Sequence, residues 1–304
     1  MSAGWVAGSV RARLLLERRL GAEEARAVAS CRSLEAALAR LAGTAYARAA
    51  AGDGLEGAQR AVAAVTLLEL RILAGWLPRS AAEVVRALAA WYELANVEDR
   101  LVYLLGGGLH RPFELGALAV AWPRAARAQT PAELRDVLRS SVWGDPGGDR
   151  PEEIQLFLRL SWARRVLAAA PEAEQWALAA AALLLTRQVL LGGAAPAGWS
   201  TPALGTGWRA ASSLDDVRTA LPAGVAWPLA GLDSVDELWR AEAGWWRVVE
   251  REAEPLARGP REGRGVVVGT AALLGLDAVR VAAALGAAAR GGGGAGREAF
   301  DALL

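Results

Sequence analysis

The chain has 304 residues, is 54% hydrophobic and carries a net charge of +1 at neutral pH. That supplies ample apolar material for a core, and so even a charge balance gives no overall field toward nucleic acid or an anionic membrane. One cysteine, Cys31, excludes an internal disulfide, and one histidine, His110, leaves no usual zinc ligand set.

All 34 basic residues are arginine and Asn96 is the sole asparagine. So uniform a bias reads as genome composition and is discounted as a binding signal. The chain reaches Arg11 and Arg13 with no uninterrupted apolar run before them, so no signal peptide is expected. The most apolar runs, 176–185 and 265–276, fall short of the roughly 20 residues that span a bilayer. They predict buried core helices.

In chain order, residues 9–20 carry Val10, Leu14, Leu16 and Leu20 between arginines, which predicts a helix with one apolar side. Ser33 is an N-cap for a helix striped by Leu34, Ala37, Leu38 and Leu41. After the turn signal Gly52-Asp53-Gly54, residues 55–76 form a long helix. Its predicted buried face is Leu55, Ala58, Val62, Val65, Leu68 and Ile72, with Arg60, Glu69 and Arg71 off it. Pro78 closes this helix and Ser80 opens the next. The period of Val84, Leu88, Trp91, Ala95, Val102 and Leu105 predicts six or seven turns, ended by three glycines at 106–108. A short helix is expected over 112–121.

Thr130-Pro131-Ala132-Glu133 has the capping-box arrangement. Helices over 151–170 and 171–191 follow, and the Gly/Pro-rich stretch 192–207 reads as a linker holding Trp199, with Trp208 just after it. Such a tryptophan either pins the linker or faces a partner. Ser213 caps another helix, and Val235, Leu238, Trp245, Val249 and Leu256 form a stripe. Residues 266–290 make the last long helix, and 295–304 a short one. No period-2 run predicts a strand, so the fold class is all-α.

The stretch 33–106 recurs. Ser33 is followed by Tyr46 after 13 residues, Thr130 by Trp143 after 13, and Ser213 by Trp227 after 14; each unit then runs to a glycine cluster. This predicts three similar helical lobes, over 1–110, 111–207 and 208–304.

Chemistry is sparse. His110 sits in a loop after the glycines, and Cys31 lies between helices as an incidental small residue. The adjacent acids Glu98-Asp99 and Asp236-Glu237 point about 100° apart on a helix and read as solvated faces. Residues 291–296 match G-x-G-x-x-G only because glycines repeat there, after a helix where a dinucleotide site needs a strand. A P-loop would need a lysine. The 13 tryptophans are spread along the chain and read as helix packing. No catalytic residue, metal ligand, cofactor or small-molecule substrate is expected.

Taken together, Val10-Arg11-Ala12-Arg13, the helix after Ser33 and Thr44-Ala45-Tyr46 resemble the N-terminal signature of the central-stalk family of V/A-type ATPases, C-type in prokaryotic enzymes and d-type in eukaryotic ones. Residues 91–97, Trp-Tyr-Glu-Leu-Ala-Asn-Val, resemble that family's acidic–apolar–x–Asn–apolar helix motif. The glycine break and Pro112-Phe113-Glu114-Leu115 follow in the family's order. Residues 276–280, Leu-Asp-Ala-Val-Arg, resemble a third copy without the asparagine, and residues 177–191 a second copy without acid or asparagine. The resemblance implies a non-catalytic, funnel-shaped helical protein of pseudo-threefold build. It would sit on the cytoplasmic face of a membrane proteolipid ring and receive the shaft of subunits D and F. Glu93, Asn96 and Arg100 are expected to serve within the lobe, by capping or bridging helices. No residue is assigned to a partner interface.

Overall fold

The computed structural model describes residues 3–192 and 202–304. Trp199 and most of the predicted linker lie outside the described residues. Those described are all-α and contain no strand. The chain divides into two compact units, one made of Met1–Val85 with Ala243–Leu304 and the other of Arg86–Glu242.

In the first unit, α1 (Ala3–Leu16) packs on α4 (Gly54–Trp76) and α13 (Arg264–Ala289). Its inward face is Gly8, Ser9, Ala12 and Leu15, while Val6, Val10 and Leu14 stand exposed. The apolar stripe read from the sequence therefore points outward at Val10 and Leu14. The cause is steric: a Cβ on Gly8 would lie 2.2 Å from Leu77 Cδ2, so the close approach selects the small-residue face. α2 (Gly21–Ala29) and α3 (Leu34–Leu41) also pack on α13. Ser33 caps α3, its hydroxyl accepting from Ala36 N at 3.2 Å, as its position predicted. Ala25, Val28, Ala37, Leu41 and Tyr46 join Val281, Ala284, Leu285 and Ala288 in one core, which Phe300 of α14 (Gly294–Asp301) completes.

α13 is the most buried helix of this unit. It is long and apolar enough to cross a membrane, but the apolar stretch is mostly buried inside the protein. α12 (Leu238–Arg258) approaches it at Gly269, where a Cβ would lie 2.6 Å from Ala253 O and 2.7 Å from Ala257 N. Helix propensity favours Gly269→Ala by about 1 kcal/mol. The overlap with rigid backbone costs about 2 kcal/mol or more and should win. Gly269→Ala is therefore expected to lower the urea midpoint; an unchanged or raised midpoint would refute this close packing.

In the second unit, the core joins Ala90, Leu94, Val97 and Leu101 of α5 (Arg79–Leu104) to Ala121, Ala125, Leu134, Leu138 and Trp143. These come from α6 (Trp122–Ala125), α7 (Pro131–Arg139) and the turn after it. Thr130 caps α7 and accepts from Glu133 N at 3.1 Å. The predicted stripe on α5 lies partly on its outer side: Trp91 and Val102 are exposed and Leu88 is half-buried. The buried side instead contains Glu93 and Asn96, polar residues that hydropathy alone places outside. Trp91 meets Trp162 of α8 (Pro151–Ala169) edge to face, with centroids 5.2 Å apart.

The helix expected over 112–121 does not form. Asn96 takes up both the N–H and the C=O of Phe113, and a helix would need that carbonyl for the N–H four residues on. A 3₁₀ turn, Gly116–Leu118, stands there instead, and α6 follows it. α9 (Glu174–Leu191) packs on α10 (Leu214–Ala220) and α11 (Ala223–Ala226). Ser213 and Asp216 form a full capping box at α10. Trp208 is buried and donates to Gly205 O at 3.0 Å, so it pins the chain there.

Candidate functional site

The most organised polar chemistry is a pair of matched buried carboxylates, Glu93 in one unit and Asp277 in the other. Each lies within a long helix and faces a short-helix segment that ends in a buried aromatic. The supporting turns are alike. Thr44 Oγ1 donates to Leu41 O at 2.8 Å and accepts from Tyr46 N at 3.1 Å. Ser141 Oγ donates to Leu138 O at 2.7 Å and accepts from Trp143 N at 3.1 Å. A hydroxyl two residues before the aromatic thus sets its entry into the core in both segments.

Glu93 Oε1 accepts from the N–H groups of Val120, Ala121 and Trp122, at 2.8, 2.7 and 2.6 Å. Its Oε2 accepts from Trp143 Nε1 at 3.1 Å. The carboxylate therefore serves as the N-terminal anion of α6 and as the anchor of the tryptophan. Asp277 does the same work. It accepts from Leu20 N at 2.9 Å and Gly21 N at 2.8 Å, where α2 begins, and from the Tyr46 hydroxyl at 2.8 Å. Burial first, and then the Asp277 charge, push the Tyr46 hydroxyl far above its ordinary ionisation range, so it remains a donor.

The residues three positions on are also used internally. Asn96 pairs with the Phe113 backbone at 2.7 and 2.9 Å. Arg280 donates Nε to Leu303 O at 3.0 Å and pairs with Glu250, fastening the C-terminal turn. Arg100 Nε donates to Ala128 O at 3.1 Å. The intramolecular role expected for Glu93, Asn96 and Arg100 is the one observed. Spacing alone did not reveal the partnership: each latch joins one repeat's long helix to the next repeat's aromatic. The first repeat's Glu93 holds the second's Trp143, and the third repeat's Asp277 holds the first's Tyr46. α9, the second repeat's long helix, has no acid at the matching level. Its buried Thr186 donates to its own Ala182 O at 2.8 Å, and it packs on α10 and α11.

A shallow groove of about 490 Å³ lies between residues 17–20 and 43–45. Arg18 lines it and reaches Glu69 at 3.7 Å, while Arg19 pairs with Glu254 at 3.0 Å. Glu69, placed off the buried face by its sequence position, is 5% exposed, and its Oε1 accepts no hydrogen bond. Burial pushes its carboxyl above the ordinary 4.5; Arg18 opposes the shift and Asp277 adds to it. The folded protein thus keeps this proton to higher pH than the unfolded chain does. The stabilising contribution is present in acid and is lost as pH rises from 4.5 through the folded value. Glu69→Gln is expected to flatten this part of the stability profile. Urea midpoints measured from pH 4.5 to neutrality check it; an unchanged slope would contradict the assignment.

The remaining sequence candidates do not form a reactive centre with one another. Cys31 is partly buried, with Sγ 3.6 Å from Ala27 O. His110 is partly buried at the end of the glycine turn and is engaged by neighbours. Glu98 is not on a solvated face: Arg159 holds it at 2.9 Å, and burial raises its pKa against that pairing. Glu237 accepts from Asp233 N at 2.8 Å ahead of α12. Gly291 and Gly292 have φ of +86° and +74° and end α13, the terminator role expected for that run. Among the described residues no group of three or more His, Cys, Asp or Glu is placed to hold a metal ion.

No protein-family model matches the chain, and no curated protein matches it.

Proposed function

We propose that this protein is a non-catalytic rotor subunit of a V/A-type rotary ATPase. In this reading it seats a D-type shaft subunit with its F partner on a membrane proteolipid ring, peripheral to the cytoplasmic face. It passes torque between them during proton or sodium transport. One observation carries the reading. The motif residues that prompted the resemblance, Glu93, Asn96 and Asp277, hold repeated helical modules in head-to-tail order. Two of the three expected junctions thus have the same design, first repeat to second and third to first, which is what a structure built from like modules would use. Close-packed helices latched by buried carboxylates also suit a part that transmits force without deforming.

The test is affinity purification of the tagged full chain from gently solubilised membranes of its source. The D-type shaft subunit and the proteolipid should be retained together. Their absence, with the rotary ATPase intact in the same extract, would refute the reading. The lack of an acid at the matching level of α9 favours one alternative, a stand-alone helical scaffold that kept the fold and lost the motor. ATPase subunits encoded beside this chain would favour the rotor, and their absence the scaffold.

A further inference from the structure

Glu69 is a buried acid that neither latch uses. Its side chain is 7% exposed, and Oε1 accepts no hydrogen bond. Arg18 Nη1 stands 3.7 Å from that oxygen, on a side chain that is itself 54% exposed. We propose that Arg18 and Glu69 form a proton-operated gate: Arg18 closes onto Glu69 when the carboxyl ionises, and turns out to the groove when it is protonated.

The geometry singles out Arg18 for this movement. At 3.7 Å the two groups are beyond hydrogen-bonding range, yet a rotation of the arginine stem is enough to join them. An ionised carboxylate buried with a bare oxygen is costly, and a protonated one much less so. Ionisation therefore calls for a charged donor that can come to it. Arg19 is held elsewhere, donating Nε to Leu16 O at 3.5 Å and Nη2 to Glu254 at 3.0 Å. Arg11 of α1 also favours the ionised carboxyl, but less than Arg18 does. The Tyr46 hydroxyl is committed to Asp277 at 2.8 Å, and Asp277 of α13 is a like charge that favours the protonated form.

The backbone beside Arg18 is fixed, which confines the movement to its side chain. Arg18 N donates to Leu15 O at 3.1 Å and Arg19 N to Leu16 O at 3.3 Å, while Asp277 holds Leu20 N and Gly21 N. Arg18 also lines the groove between residues 17–20 and 43–45. The groove thus presents a guanidinium to solvent in the acid form and a neutralised pair once Glu69 is ionised. Ionisation occurs as pH rises from 4.5 through the raised folded value, so the gate is open below that value and closed above it. This proposal does not rest on the rotor reading, because it requires no partner protein.

The experiment is an NMR titration of the full chain from pH 4.5 to neutrality. It follows the Glu69 Cδ and Arg18 Nε–H signals, assigned by their loss in Glu69→Gln and Arg18→Gln. The two signals should share one midpoint. Glu69→Gln should make the Arg18 signal independent of pH. Arg18→Gln removes the nearest opposing cation and should raise the Glu69 midpoint by about one pH unit. Because Arg18 is half exposed, this second variant tests the gate even if Glu69→Gln folds poorly. An Arg18 signal that stays flat while Glu69 titrates, or an unmoved Glu69 midpoint in Arg18→Gln, would overturn the proposal. So would an Arg18 response that survives in Glu69→Gln, since it would then belong to the neighbouring Glu17, or an Arg11 signal that moves in place of Arg18's.

Discussion

Glu93→Ala is expected to destabilise the protein by about 4 kcal/mol, a large fraction of the stability of an ordinary domain. The figure follows from what the carboxylate holds. Three backbone N–H groups and Trp143 Nε1 lose their acceptor together, and the Ala121 and Trp143 donors are buried. Each buried donor left unpaired costs about 1–3 kcal/mol. Val120 and Trp122 are partly reached by water and recover some of the loss. Glu93→Gln keeps the shape but has one acceptor oxygen. Turning it toward the backbone trio points its NH₂ group at another donor, Trp143 Nε1. It should cost less than alanine and still about 2 kcal/mol. For comparison, Glu242→Ala, which breaks an exposed pair with Arg187, should cost under about 1 kcal/mol. Urea titration measures all three. Equal effects of Glu93→Ala and Glu242→Ala would contradict the latch.

Asp277→Ala should cost about 3 kcal/mol by the same reasoning, since Leu20 N, Gly21 N and the Tyr46 hydroxyl lose their acceptor. It carries a second signature that Glu93→Ala lacks. The Asp277 charge helps to hold both Glu69 and Tyr46 above their ordinary values. Its removal should draw the Glu69 carboxyl back toward 4.5. The loss of stability between pH 4.5 and neutrality should shrink accordingly. Tyr46→Phe leaves Asp277 two backbone donors and should cost only about 1–2 kcal/mol. A double-mutant cycle between Tyr46→Phe and Asp277→Ala should return a coupling energy of about 1 kcal/mol or more. Additive effects would show that the two groups do not act as one latch.

Much of this architecture was legible in the residues. Local chemistry placed the caps at Ser33, Thr130 and Ser213, because a hydroxyl before a helix has one favourable use. Glycines with positive φ ended α5 and α13 where they were expected. What the sequence hid was facing. On α1 and α5 the packing contacts are made by small or polar residues, so the largest apolar side chains were left partly outside. A periodicity argument cannot detect an inward Glu93, Asn96, Glu69 or Asp277, since burial of a charge depends on donors far along the chain. Glu93 meets donors 27 to 50 positions away, and Tyr46 meets Asp277 across 231. The helix motif singled out Glu93, Asn96 and Asp277, and the equal spacing of Tyr46 and Trp143 from their caps was the one signal of the aromatic partners. It marked the repeat without showing that the repeats interlock. Phe113 shows the converse case: a segment with a plausible helical pattern forms no α-helix where Asn96 claims its backbone.

We propose that these modules seat a rotary shaft. The most direct measurement is a binding titration of the purified full chain with a purified D/F shaft complex from the same source, read by mass photometry. A one-to-one complex, weakened by the latch-breaking variant Glu93→Gln under conditions where that variant remains folded, is the predicted result. No complex between two demonstrably folded partners would contradict it.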